Sequence, residues 1–158
     1  MKIRAYHPSD RETLKEITAV CFGRNSSIDH NIERLLGRIA GKDWTWRKKR
    51  CIDDDIAANA SGIFVAVQAD VPVGYITTRL DCESGIGFIP NMAVLPDHAG
   101  CGLGRALIGA AVEYLRDQGM KLVRIETLES NAVGQHLYPS LGFQEVARQI
   151  HYVLPLTD

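Results

Sequence analysis

A strand, a glycine-rich loop and a helix follow one another within residues 91–115, and this order constrains the fold more than any other part of the chain. Residues 92–95 form an apolar run that predicts a strand, and Pro96 ends it. The loop after the strand contains three alternate glycines: Gly100, Gly102 and Gly104. The next stretch predicts an amphipathic helix from apolar residues at helical spacing: Leu103, Leu107, Ala111 and Leu115. A strand and a half-buried helix must therefore pack side by side.

Glycines in this position favour an anion site at the start of the helix. They adopt positive φ angles and let the backbone approach a ligand, so the free N–H groups of the first helical turn can face a phosphate or pyrophosphate. Two nucleotide motifs fit less well, since the third glycine of a dinucleotide fingerprint falls on Arg105 and a Walker Gly-Lys-Ser/Thr is absent. The other interpretation is a tight strand-to-helix turn with no ligand.

A second stretch, residues 125–146, reads IETLESNAVGQHLYPSLGFQEV. The two stretches together resemble the GNAT superfamily of N-acetyltransferases, whose second motif carries an Asn, a Tyr seven residues later and then Gly-Phe. The matching residues here are Asn131, Tyr138, Gly142 and Phe143. With a weaker match at residues 2–14, the resemblance covers most of the chain apart from roughly residues 24–60. The arrangement is also similar to that of the ribosomal-protein N-terminal alanine acetyltransferase group.

The resemblance implies that acetyl-CoA is the co-substrate and that no metal takes part. The family's loop usually opens with Gln or Arg, but here that position is Ala99, so the pyrophosphate is left to backbone amides and the Arg105 side chain. The pantetheine arm is expected to bond backbone groups of the strand before the loop. The implied cofactor-binding residues are Met92, Val94, Gly100, Cys101, Gly102, Gly104, Arg105 and Asn131. Cys101 is expected to be a small turn residue rather than a nucleophile, because transfer is direct.

Amine acetylation needs a base for the amine and a proton for the departing thiolate. Tyr138 matches the family's tyrosine and is the expected acid, since a phenol can protonate the sulfur; the alternative is a packing role. Glu126, twelve residues earlier, has the place of the base in the resembling alanine acetyltransferases, although a surface ion pair would explain it equally well. The other residues considered for the base or the site are Glu83, Glu129, a water held by Asn91, and His98.

Helices and strands mix along all 158 residues, which predicts one N-acetyltransferase domain over 1–158 of the α/β (α+β) class. The resemblance sharpens this to a GNAT fold, with a twisted, mostly antiparallel mixed sheet that splays near Pro90 just before the central helix. The sequence also predicts a helix that starts with a capping box of Ser9 and Glu12, and a second helix over about residues 27–40. A strand over residues 121–128 is expected to contain Glu126, and Ser130 or Asn131 is expected to cap the short helix after it. A last strand is expected over residues 143–154. Residues 24–60 are expected to be helical and to shape the acceptor site, with Trp44 and Trp46 either packed or forming an aromatic wall.

Net charge and composition limit the classes of partner and the compartment that we expect for this chain. A net charge of −1 disfavours nucleic acid, and the basic run at 47–50 followed by the acidic run at 53–55 predicts a self-paired solvated helix surface. Neither a membrane span nor a signal-peptide pattern is apparent, and the four cysteines have no zinc or disulfide spacing, so a reduced cytoplasmic setting is expected.

The function expected from these observations is transfer of an acetyl group from acetyl-CoA to a primary amine of a small molecule or peptide, in a ternary complex. A homodimer is compatible with it. The alternative is a non-catalytic module that binds acyl-CoA for sensing or association, which the loss of the loop side chain at Ala99 favours and the intact Tyr138 opposes.

Overall fold

The structure of the protein is a computed structural model that describes residues 1–23 and 27–156. The strands are β1 (Lys2–Ala5), β2 (Phe64–Gln68), β3 (Val71–Ile76), β4 (Arg79–Asp81), β5 (Ile86–Ile89), β6 (Met92–Val94) and β7 (Leu122–Ile125). The helices are α1 (Arg11–Cys21), α2 (Ile28–Leu36), α3 (Trp44–Asn59), α4 (Leu103–Asp117) and α5 (Ala132–Ser140). Within these described ranges, no helix is long and apolar enough to cross a membrane.

The sheet is divided at Pro90. Strands β1, β2, β3 and β6 pair in that order and are antiparallel, whereas β4, β5 and β7 form a second group in which β5 and β7 are parallel. β5 and β6 are consecutive in the chain but belong to different groups, because proline has no N–H to continue the ladder and the backbone turns away after Ile89. This confirms the predicted fold class and the predicted splay before the central helix.

Helix α4 packs on one face of the antiparallel group. Its predicted apolar face is buried: Leu103, Leu107, Ala111 and Leu115 are all between 0% and 4% exposed. Ala66 and Ile76 face this helix, while their neighbours Val65 and Tyr75 face α1 and α3 on the opposite side. Alternate residues of each strand thus contribute to the two hydrophobic layers, one on each face of the sheet. Packing of α4 on one of these layers places the start of the helix beside β6.

Helix boundaries differ from the prediction at two places. A short 3₁₀ turn, Pro8–Asp10, precedes α1, so the capping box uses His7 and Asp10 rather than the Ser9 and Glu12 that the sequence pattern indicated. The Asp10 carboxylate accepts the His7 N–H at 2.8 Å and pairs with Arg4 at 2.7 Å, and this ion pair lowers its pKa. Helix α2 ends at Leu36, four residues before the predicted Ala40, and Gly37 with its φ of 75° closes it.

The charged runs of α3 do not pair with each other, and the prediction of a self-paired surface is wrong. The charged residues of α3 pair instead with residues of other elements, because α3 packs against α1, α2 and β4. The ion pairs join Asp53 to Arg11 and Lys15, Lys49 to Glu16, Arg47 to Asp29, and Asp55 to Arg79.

The predicted last strand, residues 143–154, is not formed. After Gly142, whose φ is 91°, the chain continues to Leu156 with neither helix nor strand. A strand needs the backbone of a neighbour to pair with, and this segment pairs with no strand of the described chain. The prediction was wrong because local apolar alternation indicates a strand without indicating its partner.

Candidate functional site

The loop between β6 and α4 has the geometry of an anion site. Gly100 and Gly102 have φ values of 77° and 80°, a region that other residues rarely adopt. A Cβ at either position would have no atom within 4 Å, so the space beside both glycines is open. Gly102 is the N-cap of α4 and therefore contributes no side-chain cap to the helix. The orphan N–H groups of the helix remain available to a ligand.

The first intrahelical bond of α4 runs from the Ala106 N–H to the Gly102 carbonyl, at 3.0 Å. The amides of Leu103, Gly104 and Arg105 precede it and have no acceptor within the helix. They lie at the positive end of a 15-residue helix. The arrangement suits the negative charge of a phosphate group, as the sequence predicted.

Two of the residues predicted at this loop, Arg105 and Gly104, lie against other elements of the fold. The Arg105 guanidinium donates to the Ser140 hydroxyl at 2.9 Å, which ties α4 to α5. A Cβ on Gly104 would lie 3.3 Å from the Leu137 side chain and 3.9 Å from that of Met92. Gly104 therefore lets β6, α4 and α5 meet closely. Cys101 is exposed on the loop, and its thiol lies 3.8 Å from the Ala99 carbonyl oxygen.

A cleft of about 130 Å³ adjoins the same loop. Lys2 lines it together with Cys101 and Gly102. Sequence reasoning did not consider Lys2, because it lies about a hundred residues away in the chain. Its only sequence signal is a cation at the start of a strand.

The backbone N–H and C=O groups of Met92 and Val94 point away from β3, the strand that pairs with β6. The Thr77 N–H donates to the Asn91 carbonyl and the Leu95 N–H donates to the Val73 carbonyl, both at 2.9 Å. Backbone direction alternates along an antiparallel strand, so the polar groups of Met92 and Val94 point to the open edge of β6. The Val94 carbonyl accepts the Cys21 thiol at 3.3 Å, and burial raises the pKa of that thiol to about 11. The edge can bond an extended, amide-containing ligand.

Asn91, at the break between the two strand groups, is fixed by a polar network that sequence reasoning missed. Its side chain donates to the fully buried Asp55 carboxylate at 2.7 Å and accepts from Lys48 at 2.8 Å. Asp55 also accepts from Thr77 at 2.7 Å and pairs with Arg79. Both polar atoms of the Asn91 side chain are thus engaged. No local motif signals the network, since its members come from α3, β4 and the strand connections.

Replacing Asp55 by Ala is expected to lower the free energy of unfolding by about 2–4 kcal/mol. The substitution leaves the buried Thr77 hydroxyl and Asn91 amide without their acceptor and removes the partner of Arg79. Urea denaturation measures the change. Asp54→Ala, an exposed neighbour on the same helix, is the control and should change stability by less than about 0.5 kcal/mol. Equal, small losses in both variants would contradict the structural importance of the network.

Tyr138 lies on α5 against the same hydrophobic layer as Met92 and Leu137. Its ring is tilted against Phe143 with centroids 6.1 Å apart, and burial raises the pKa of its phenol. Among residues 1–23 and 27–156 its hydroxyl has no hydrogen-bond partner. Gly134 was not predicted as important, yet a Cβ there would lie 3.1 Å from the Tyr138 ring and from the Thr127 hydroxyl. Close packing holds Tyr138 in place while its hydroxyl stays free for a ligand.

Asn131 is the N-cap of α5, as one of the two predicted cap residues. Its side chain accepts the Gly134 N–H at 3.2 Å and donates to the Thr127 hydroxyl at 2.8 Å. This fixes the connection between β7 and α5, and with it the start of the helix that carries Tyr138.

Glu126 follows the last residue of β7 and is exposed, rather than lying within the strand as predicted. It forms no ion pair with any described residue, so the interpretation as a paired surface carboxylate finds no partner. Two of the other residues considered for the base already have side-chain partners. Glu129 pairs with Arg148 at 2.7 Å, and His98 forms a hydrogen bond with Gln68 at 2.8 Å. Glu83 lies exposed in the turn between β4 and β5. No hydrogen bond in the described chain joins Glu126 to Tyr138.

The two tryptophans have different surroundings. Trp44 packs edge-to-face on His30 with centroids 5.2 Å apart, and the backbone N–H of Trp44 donates to the Glu33 carboxylate. Trp46 is 43% exposed, with the cations of Lys42 and Arg50 over its ring. Trp44 therefore has the predicted packing role.

A model of the acetyltransferase (GNAT) family matches residues 30–143. The chain is 34% identical over 158 aligned residues to a mycothiol acetyltransferase of Salinispora tropica, an alignment that covers 96% of this chain and 47% of the relative. It is 38% identical over 66 residues to the [ribosomal protein bS18]-alanine N-acetyltransferase of Haemophilus influenzae, covering 41% of this chain and 44% of the relative. The chain spans less than half the length of the curated relatives it matches first.

Solved structures agree with the fold. The PaiA N-acetyltransferase of Thermoplasma acidophilum, solved in complex with coenzyme A, superposes with a TM-score of 0.71 over 90% of this chain and 89% of its own, at 20% identity. The similarity at this level of identity is one of fold.

Proposed function

Because the chain belongs to the acetyltransferase (GNAT) family, we propose that it transfers an acetyl group from acetyl-CoA to a primary amine by direct attack in a ternary complex. The observation that supports this proposal is that two binding features adjoin each other. The free amides at the start of α4, after Gly102, lie next to the open edge of β6. The first suits a pyrophosphate and the second suits the amides of a pantetheine arm.

In this proposal the pyrophosphate accepts hydrogen bonds from the loop and from the first turn of α4. The residues that hold it are Gly100, Cys101, Gly102, Gly104 and Arg105. The pantetheine arm extends along β6 and bonds the backbone of Met92 and Val94, so the thioester reaches the break beside Asn91. Asn131 contributes by fixing the start of α5 at the cofactor. No metal is needed for any of these contacts.

The chemistry proceeds through a tetrahedral intermediate. The amine nitrogen attacks the thioester carbonyl carbon, the carbonyl oxygen becomes an oxyanion, and the C–S bond then breaks as the carbonyl re-forms. Glu126 accepts the proton that the amine loses, directly or through water, and Tyr138 donates a proton to the departing thiolate. A phenol is protonated at neutral pH, and burial raises the pKa of Tyr138 further above that range.

The acceptor is the least constrained part of the proposal. One relative is named a mycothiol acetyltransferase and another a [ribosomal protein bS18]-alanine N-acetyltransferase, so a small-molecule amine and a peptide amine both fit. We assign the acceptor site to residues 24–60 and to the neighbourhood of His151 and Tyr152, of which residues 24–26 lie outside the described chain. The four cysteines are free thiols, which suits a reducing compartment, and a cytoplasmic location belongs to the proposal.

Incubation with acetyl-CoA and a panel of amines, with free thiol as the readout, tests the proposed activity. The panel should pair α-amino compounds with lysine-like amines of similar size, and a reaction without acceptor measures background hydrolysis. Thiol release that depends on the acceptor supports the transferase. Tight binding of acetyl-CoA without such release from any amine would support a sensing or association module instead.

Glu126→Gln is expected to lower the rate most at low pH, and the defect should shrink as the pH rises. Above the pKa of the amine the free base is present without assistance, so recovery is expected near about pH 8 for an α-amine and beyond about pH 10 for a lysine-like amine. Comparison of pH–rate profiles measures the effect. Glu129→Gln, whose carboxylate pairs with Arg148, is the control and should follow the wild-type profile.

A defect of Glu126→Gln that is the same at every pH would remove Glu126 from the role of base. The base would then be sought at Glu83 or at a water near Asn91.

A further inference from the structure

The polar network around Asn91 carries an uncompensated positive charge. Asp55 and Arg79 form an ion pair at 2.7 Å, so their charges offset each other. Lys48 donates to Asn91 Oδ1 at 2.8 Å, and it forms no ion pair with any residue that the structure describes. Asp55 is fully buried, whereas Lys48 is partly exposed. The excess positive charge therefore lies at the accessible end of the network.

Lys48 differs in this respect from its basic neighbours on α3. Arg47 pairs with Asp29, and Lys49 pairs with Glu16. Side chains three or four positions apart on a helix lie close together, so a carboxylate at such a spacing could neutralise Lys48. The residues at those spacings are uncharged: Trp44, Thr45, Cys51 and Ile52. Neither its own helix nor the rest of the described chain supplies Lys48 with a carboxylate.

Two uncharged groups hold the Lys48 ammonium in place. Asn91 Oδ1 accepts one of its three N–H bonds, and the ring of Phe22 lies 4.2 Å from its nitrogen. An amide oxygen and a ring face orient a cation without cancelling its charge. Because the surrounding protein weakens screening by water, a cation held in this way attracts an anion that arrives with a ligand.

The position of Lys48 is that of an acceptor contact in the proposed reaction. Asn91 lies at the break between β5 and β6, where the thioester is proposed to reach, and α3 belongs to the part of the chain assigned to the acceptor site. A group bound by Lys48 would thus lie within the length of one small molecule from the reacting amine. A single ammonium suits a singly charged carboxylate, whereas phosphate sites favour arginine forks or helix N-termini.

We propose, on the basis of the proposed transferase activity, that Lys48 determines specificity by binding a carboxylate of the acceptor. The acceptor is then a small primary amine that also carries a carboxylate. Lys48 keeps its bond to Asn91 and uses its remaining N–H bonds for the carboxylate. Asp55 fixes Asn91 at 2.7 Å, so the cation is held at a defined distance from the break in the sheet. Lys48 transfers no proton and acts on the binding of the acceptor.

Acceptors that differ only in charge test this role. Glycine, β-alanine and 4-aminobutyrate are each compared with their own carboxamide at saturating acetyl-CoA, and the ratio of the two kcat/KM values measures recognition of the carboxylate. The wild type should prefer the carboxylate of at least one pair. Lys48→Gln should lower that ratio by about 10- to 100-fold, chiefly through KM, because a hydrogen bond to a charged group is lost. Comparison of the ratio between variants removes the intrinsic reactivity of each amine.

Two further variants distinguish charge from structure. Lys48→Arg keeps the cation and should keep most of the preference. Lys121→Gln, which changes an exposed lysine at the opposite end of β7 from Glu126, is the control and should show the wild-type ratio. A purely structural role of Lys48 would lower the rates with carboxylate and carboxamide equally. An unchanged ratio in Lys48→Gln would overturn the proposal.

Binding measured without turnover separates this role from the transferase activity. Protein saturated with coenzyme A is titrated calorimetrically with each carboxylate and its carboxamide. Tighter binding of a carboxylate by the wild type, lost in Lys48→Gln, would support the role of Lys48 even if no amine released thiol, a result that would contradict the transferase alone. Equal binding of both members of every pair by the wild type would overturn the carboxylate site, and turnover of neutral amines would then leave the transferase standing.

Discussion

Tyr138→Phe is expected to lower kcat by about 10²- to 10⁴-fold while the dissociation constant for acetyl-CoA stays within about twofold. The substitution removes one hydroxyl and keeps the ring, so the packing of α5 on Phe143 and beside Gly134 is retained. The hydroxyl has no partner among the described residues, so no structural hydrogen bond is lost. The loss should therefore fall on the proton that the departing thiolate receives. Steady-state kinetics and calorimetry separate the two quantities.

Tyr6→Phe is the matched control, because Tyr6 is a partly buried tyrosine that packs in the other hydrophobic layer, against α1 and α3. Its kcat should remain near the wild-type value. A near-normal rate for Tyr138→Phe would leave Tyr138 with a packing role only, and the proton donor would have to be a water molecule. A large rise in the dissociation constant with an unchanged kcat would assign the hydroxyl to cofactor binding.

Gly102→Glu is expected to raise the dissociation constant for coenzyme A on the order of 100-fold or more, to the point where calorimetry detects no binding. Two effects combine, since the φ of 80° strains any residue with a Cβ and the new carboxylate lies where a pyrophosphate would accept its hydrogen bonds. Gly102→Ala separates them, because it keeps the strain and omits the charge. We expect it to weaken binding far less.

Gly109→Glu is the control for adding a carboxylate to α4. Gly109 lies on the same helix, is exposed and has open space for a side chain, so coenzyme A affinity should be unchanged. Ala99→Arg should keep or strengthen binding, because it returns a cation to the start of the loop. Unchanged affinity in Gly102→Glu would refute the pyrophosphate assignment at this loop.

The features that sequence predicted well are local ones. The buried face of α4, the glycine loop and the division of the sheet at Pro90 each follow from residues within a single stretch of chain, where periodicity and backbone chemistry suffice. The position of Tyr138 on a short helix capped by Asn131 follows in the same way.

The features that it missed depend on contacts between distant residues. The ion pairs of α3 were assigned within the helix because spacing along one element is visible in a sequence, whereas the proximity of Asp55 to Arg79 is a product of packing. The Asn91 network and Lys2 at the glycine loop have the same origin. The segment at 143–154 has the pattern of a strand, but whether it becomes one depends on the backbone it meets.

The open edge of β6 and the start of α4 would hold the cofactor almost entirely through main-chain groups. Every residue except proline supplies a backbone N–H, so most substitutions at positions such as Cys101 and Arg105 leave the number of donors unchanged. Mutational tolerance should therefore be high along this surface and should fail only at the positions where φ is positive or where proline is introduced. Ala99 at the start of the loop has no polar side chain, which is compatible with a site that binds through main-chain groups. Selection for a new acceptor could then alter neighbouring side chains without first rebuilding the cofactor site.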